Sequence, residues 1–308
     1  MTPAPTWRGC HGVRMLGGDR FDLGECDVEP LVDAAATEAD PAGPEGRELW
    51  RITEEVATDD GPTVAEQWLT QRPDGSYLLR TNRGAALDVD PATKRITASG
   101  GDTGTRSQLV AAYGAPLLLR DAPAVVLHGA ACARDGRALV VVGPSGAGKS
   151  SILVRLLESG WAPITEDLGA IDLRARPAVW PGPPWVRRLR HEPGPAGSAV
   201  RFTTADKTVW DIAPWQTHGP TEVGRIVVLG EPGGTEPETT TVEHHDLVGV
   251  LAEHAVWLSE PAEGPAALFG RIAKLAAAVG AVHLRLPRTS SWLDGVPAIV
   301  DGLVAGAV

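Results

Sequence analysis

Residues 143–150 read Gly-Pro-Ser-Gly-Ala-Gly-Lys-Ser, filling every fixed place of the pattern G-x-x-x-x-G-K-[ST]. In that pattern the glycines let backbone N–H groups turn toward a phosphate. The lysine reaches the outer phosphates, and the serine hydroxyl meets Mg²⁺. Nucleotide contacts are therefore expected from Gly143, Pro144, Ser145, Gly146, Ala147, Gly148, Lys149, Ser150 and Ser151, with Ser150 also on the metal. Two adjacent acids, Glu166 and Asp167, follow, the second of them 18 residues after Lys149. Phosphoryl transfer to an alcohol needs one acid to hold Mg²⁺ and another to orient or deprotonate the hydroxyl. Neighbouring residues of a regular strand point to opposite faces, so both acids can serve only where the strand is irregular. The competing reading of the pair is a solvated acidic turn.

The flanking sequence supplies the elements such a site needs. AVVLHGAAC (124–132) and RALVVV (137–142) are apolar strand candidates, and Asp135-Gly136 between them is a favoured hairpin turn. A turn centred near residue 135 sets His128 beside Val142, at the mouth of the phosphate loop, although a lone histidine is also an ordinary structural residue. After the loop, Ile152, Leu153, Leu156 and Leu157 form one helical stripe, and Gly160 supplies a stop. The N-terminus of that helix points at the phosphates. The acids lie at the edge of a further strand, in WAPITEDLGAIDL.

Between Trp185 and Lys207, five bases (Arg187, Arg188, Arg190, Arg201 and Lys207) face two acids (Glu192 and Asp206), in a chain of net charge −11. Trp180, Trp185, Trp210 and Trp215 frame this stretch. It reads either as a cationic flap over a triphosphate and an acidic acceptor, or as a loop with tryptophans in the core and arginines paired to surface acids.

The whole chain sets outer limits. With 308 residues, 43% of them apolar, it can bury one large or two ordinary cores. The acidic balance excludes general nucleic-acid or anionic-membrane binding. No apolar run is long enough to span a bilayer, and MTPAPTWRGCHG has no signal-type segment. Cys10, Cys26 and Cys132 are scattered, as in a reducing cytoplasm, which is the expected location. Residues 30–48 are small, acidic and Pro/Gly-interrupted, and read as a mobile loop or linker. Runs at EQWLTQR, YLLRTNR, AALDV and KRITAS, separated by turn residues, predict a small antiparallel meander without evident chemistry. The division is therefore an N-terminal accessory β-rich domain, 1–105, and a phosphate-loop domain, 106–308. Near the C-terminus, PAALFGRIAKLAAAVGA and WLDGVPAIVDGLVAGAV read as helices around a VHLRL strand. His244-His245-Asp246 lacks a second ligand cluster and reads as a loop.

LHGAA, the hairpin, GPSGAGKS and TEDLGAI, followed by WPGPPWVRRLR, TADKTVW and GRIVVLG, together resemble the HPr kinase/phosphorylase-like kinases, whose core is related to phosphoenolpyruvate carboxykinase. The resemblance covers about residues 110–230 and implies an α/β fold, a P-loop kinase core with a mixed sheet and flanking helices. It implies His128 at the site, Asp167 on Mg²⁺, Glu166 as the base, and Lys207 as a phosphate- or acceptor-side cation. Arg187, Arg188, Arg190 and Arg201 are candidate contacts to the acceptor or phosphates. Glu166 stands where the family usually has aspartate, and no Glu-x-Arg-Gly-x-Gly signature is present, which points away from HPr as acceptor. The expectation is an ATP-dependent kinase, with GTP as the alternative donor. Its acceptor would be a hydroxyl of a peptide, a protein or a small biosynthetic metabolite, and some relatives tailor ribosomal peptide natural products. An oligomer is compatible with this reading. The rival is a nucleotide-binding ATPase or switch that transfers no phosphate.

Overall fold

The hairpin ahead of the phosphate loop organises the larger half of the molecule. The computed structural model describes residues 7–11, 13–16, 32–38, 47–58, 61–204, 206–287 and 290–304. In it, strand Ala124–Arg134 pairs antiparallel with Arg137–Val142. Asp135 and Gly136 both have positive φ, 51° and 75°, the backbone of a two-residue turn whose twist matches its strands. Val142 lies opposite Gly129, so His128 stands one residue beyond the pairing read from the sequence, at the same end of the strand.

Arg137–Val142 also pairs in parallel with Thr221–Leu229, which in turn runs parallel to Ala281–Arg285, and the sheet as a whole is mixed. Side chains alternate across it. Val140 and Val142 join a core with helices His244–His254 and Pro265–Ala278. Leu139 and Val141 face the other way, toward helices Lys149–Glu158 and Val296–Val304. Pairs of helices thus cover both faces, as the apolar run RALVVV requires of a strand buried on both sides. His244 opens the first of these helices instead of lying in a loop. Its Nδ1 is 2.8 Å from the Ala276 carbonyl, so the helix is anchored to its neighbour at that point.

The acid-bearing segment runs antiparallel along Ala124–Arg134 as two collinear pieces, Ala162–Thr165 and Leu168–Asp172. Glu166 and Asp167 are the interruption between them. A small three-stranded sheet (Trp185–Leu189, Lys207–Asp211 and Val200–Thr203) lies next to this break.

In the N-terminal part, the expected meander is present as Gly61–Gln71, Tyr77–Thr81, Ala86–Asp90 and Arg95–Ser99 within an eight-stranded sheet. The linker expected over 30–48 is corrected in part. Val32–Glu38 is a strand, parallel to both Val13–Leu16 and Arg95–Ser99, while residues 30, 31 and 39–46 lie outside the described residues. Alanine-rich VDAAATE carries neither glycine nor proline, and its backbone pairs with a strand on both sides. The residue 105/106 division falls within helix Thr103–Leu109, and the segment through Leu119 packs under the N-terminal sheet. That core also takes in Ala170, Trp185 and Val209.

Two glycines test this architecture differently. A Cβ on Gly136 would meet nothing within 4 Å, so Gly136→Ala should cost only the left-handed backbone penalty, about 1–2 kcal/mol. A Cβ on Gly182 would stand 2.0 Å from Thr165 Oγ1 and 3.0 Å from His11 Cε1, so Gly182→Ala should cost about 1–3 kcal/mol by overpacking. Urea unfolding measures both. The Gly182 variant should also perturb the acid-bearing turn that Thr165 braces, whereas the Gly136 variant should leave it intact.

Candidate functional site

The chain leaves Val142 into the loop 143–148 and enters helix Lys149–Glu158 through Gly148, whose φ of 98° suits only a residue without a Cβ. Lys149 is buried, and its Nζ donates to the carbonyls of Gly143 (2.8 Å) and Pro144 (3.0 Å). Burial lowers the pKa of its ammonium group, and the charges of Asp167 and Glu166 work against that shift. The lysine therefore lies along the loop it belongs to, between that loop's carbonyls and the two acids.

Those acids sit where a tight turn interrupts the strand without changing its course. Leu168 N–H donates to the Glu166 carbonyl at 3.1 Å, closing a γ-turn around Asp167, whose φ is 77°. Thr165 Oγ1 donates to the Leu168 carbonyl across the same turn. The Asp167 carbonyl still accepts from Gly129 N–H at 2.8 Å, so the ladder to the hairpin survives the break. The irregularity that the adjacent acids require is present.

Ser150 Oγ donates to Glu166 Oε1 at 2.7 Å. Arg187 Nε donates to Glu166 Oε2 at 3.2 Å, and Arg187 Nη2 lies 2.5 Å from Asp167 Oδ1. One guanidinium thus joins both carboxylates. On the far side, His128 Nδ1 is 3.7 Å from Asp167 Oδ1. Glu166, not Asp167, lies against Ser150, and Asp167 is turned toward His128. The cause is the γ-turn, which swings Asp167 out of the strand and leaves the longer glutamate in line with the helix.

Charge follows the same geometry. Burial pushes the Asp167 carboxyl up, but Arg187, His128 and Lys207 outweigh it and hold it below the ordinary carboxylate value. Burial works against the Arg187 charge, and the two carboxylates more than restore it. The His128 imidazole is lowered, by burial first, with Asp167 opposing. Lys207, at the start of Lys207–Asp211, therefore acts on Asp167 through its charge.

The remaining candidates divide. Arg188 Nη1 donates to Ser151 Oγ at 3.1 Å, beside the loop. Arg190 donates to the Thr204 carbonyl, and Arg201 to the Pro184 carbonyl at 3.4 Å, so both serve the backbone around the small sheet. Trp180 and Trp185 are buried, and Trp210 and Trp215 pack against the core behind the phosphate loop, which is the packing alternative for these rings. Among the described residues, no three His, Cys, Asp or Glu side chains gather as a metal cluster.

A cavity of about 130 Å³ opens beside the acids, walled by Glu166, Asp167, Arg187 and Trp185. Its other wall comes from the N-terminal part, including His11, Gln108 and Tyr113. His11 is 1% exposed, with φ of 56°, and its backbone N–H donates to the Pro181 carbonyl at 2.7 Å. Burial drops its imidazole to about 4, against the pull of Asp167. Nothing in the spacing around His11 marks it in the sequence, since it reaches the cavity only through long-range folding.

The His11 shift has a sign that can be measured. With an ordinary value of 6.5 and a folded value of about 4, the unfolded chain takes up the proton first as pH falls. Stability from this group is full above pH 6.5 and declines toward pH 4, by roughly 3 kcal/mol in total. His11→Gln should remove that portion of the acid slope when urea unfolding is followed across the window. Identical slopes in the two proteins would contradict a neutral, buried imidazole.

No protein-family model and no curated protein matches the sequence. Among solved structures the chain is similar to the Hpr(Ser) kinase/phosphatase from Coxiella burnetii, with 11% identity and a TM-score of 0.32. The match covers 59% of this chain and 95% of that one, a distant structural relationship.

Proposed function

We propose that the protein is a nucleoside-triphosphate-dependent phosphotransferase that moves the γ-phosphoryl group onto a hydroxyl. The observation that carries this reading is the asymmetry of the two acids: Glu166 is bonded to the phosphate-loop serine, while Asp167 faces a cavity. A nucleotide switch needs the first acid and has no use for the second beside a pocket.

The donor set suits Mg²⁺. Ser150 Oγ and the Glu166 carboxylate are hard oxygen ligands already within 2.7 Å of each other. Mg²⁺ is ordinarily held by one or two such groups plus substrate phosphates. When bound, the ion neutralises charge on the phosphates. Lys149 and the backbone N–H groups of the loop hold the triphosphate, and Arg187 bonds to both carboxylates. The acceptor oxygen forms a bond to the γ-phosphorus as the bond to the β–γ bridging oxygen breaks, releasing nucleoside diphosphate. The hydroxyl proton passes to Asp167, whose low pKa fits a loose transition state in which proton transfer comes late. Lys207 and Arg188 add positive charge on the side of the transferring group. ATP is the expected donor and a peptide, protein or small-molecule alcohol the acceptor class.

Separate titrations of Mg²⁺–ATP binding and single-turnover transfer test the roles. Lys149→Ala should abolish nucleotide binding. Glu166→Gln should weaken Mg²⁺–ATP affinity, whereas Asp167→Asn should retain it and lose transfer by about 10²–10⁴-fold. The opposite pattern would return the metal to Asp167. If wild-type protein forms nucleoside diphosphate from bound ATP with no phosphorylated alcohol, the switch is the better reading.

Lys207 provides an independent check, because it belongs to a different sheet from the phosphate loop. Lys207→Ala should keep nucleotide affinity within a few-fold and cut transfer by about 100-fold. Undiminished transfer in that variant removes it from the reaction.

A further inference from the structure

Two residues that line the cavity beside Asp167 carry polar atoms that the fold leaves without partners. His11 Nδ1 is buried with no hydrogen-bond partner, and so is Gln108 Nε2, and both residues line the same space. Leaving such a group unsatisfied costs about 1–3 kcal/mol. Two on one small cavity are a stability liability unless a ligand completes them. Backbone strain points to the same place. Among the described residues, four non-glycine positions have positive φ. Lys94 and Asp135 are in turns, while His11 and Asp167 both face this cavity. Strain that persists in a folded chain concentrates at functional sites. A π-helical segment, Val110–Gly114, forms part of the wall and presents small Ala111 and Ala112 to it, a device also found mainly at functional sites.

We propose that this cavity is the acceptor subsite, that His11 and Gln108 are its specificity-determining residues, and that it takes an uncharged hydroxyl-bearing unit the size of one amino-acid residue. For the reaction this rests on the phosphotransferase reading; for binding it does not. Size and charge set the class. At about 130 Å³ the space is close to the roughly 150 Å³ of an engineered cavity that admits benzene. Its charged lining groups are Glu166, Asp167 and Arg187, and these are paired with one another. An anionic acceptor would have to take Arg187 from the acids, whereas a neutral one needs only donors and acceptors. A neutral imidazole and a carboxamide supply these, and the hydroxyl is left to Asp167. The N-terminal half of the chain thereby enters the active site, as the wall that reads the acceptor.

The test uses the full chain with MgADP and three probes: N-acetyl-L-serinamide, N-acetyl-L-alaninamide and O-phospho-L-serine. Binding is read from the imidazole resonances of His11 in ¹⁵N-histidine-labelled protein and by calorimetry. The expected result is a saturable shift at His11 with serinamide and none with the other two. Affinity should fall about tenfold in His11→Phe and be partly retained in His11→Gln, the loss of one buried hydrogen bond. Ala112→Leu, on a separate element, should narrow the cavity and weaken serinamide binding by a similar factor, so the test survives if a His11 variant fails to fold. Absence of a saturable shift, equal binding of alaninamide, or unchanged affinity in Ala112→Leu would overturn the proposal. MgADP titration of the same samples separates the two readings: a protein that shows the His11 shift but binds no nucleotide keeps the subsite and loses the phosphotransferase.

Discussion

Two carboxylates on consecutive residues cannot face the same way from a regular strand, and two bare carboxylates side by side repel each other. The site depends on meeting both constraints at once. The γ-turn at Asp167 meets the first by reversing one residue without breaking the strand's attachment to the hairpin. Arg187 meets the second by bonding to each acid. Neither device suffices alone. Without the turn the acids would point apart, and without the guanidinium Asp167 would lose the largest of the charges that hold its carboxyl low.

Arg187 can do this because its strand is fixed from both sides. Trp185 enters the core beneath the N-terminal sheet, while Val186 enters the core behind the phosphate loop. Arg187 then falls on the Trp185 face and reaches the acids, and Arg188 falls on the Val186 face and reaches Ser151. Strict alternation along five residues thus delivers one cation to the acids and one to the loop. Both cations are balanced where they land, Arg187 by the two acids and Arg188 by Glu192.

What could be read in the sequence was local. The phosphate loop, its hairpin and the helix after it follow from contiguous patterns: Asp135-Gly136, RALVVV and the stripe through Leu156. The acids were visible, but their orientation was not. TEDLGA places no glycine or asparagine where the left-handed residue falls, so nothing marked Asp167 as the one to turn. The strand Val32–Glu38 was hidden because its alanines carry no alternation, and the helix at His244 because a helix start written as Glu-His-His-Asp looks like a polar loop. The tryptophans near the arginines were ambiguous for a different reason: their type fits a stacking flap and a core equally, and only tertiary packing separates the two. His11 is the furthest from legibility. Its role is set by a chain segment more than a hundred residues away in sequence, for which no spacing rule exists.

The core beneath the N-terminal sheet has a consequence for how the molecule can change over time. Ala170, Trp185 and Val209 all belong to the larger half of the chain, yet the smaller half buries them. A lineage that exchanged or discarded that smaller half would uncover the strand carrying Arg187. A change in the packing of the N-terminal sheet is therefore felt at the strand that carries Arg187.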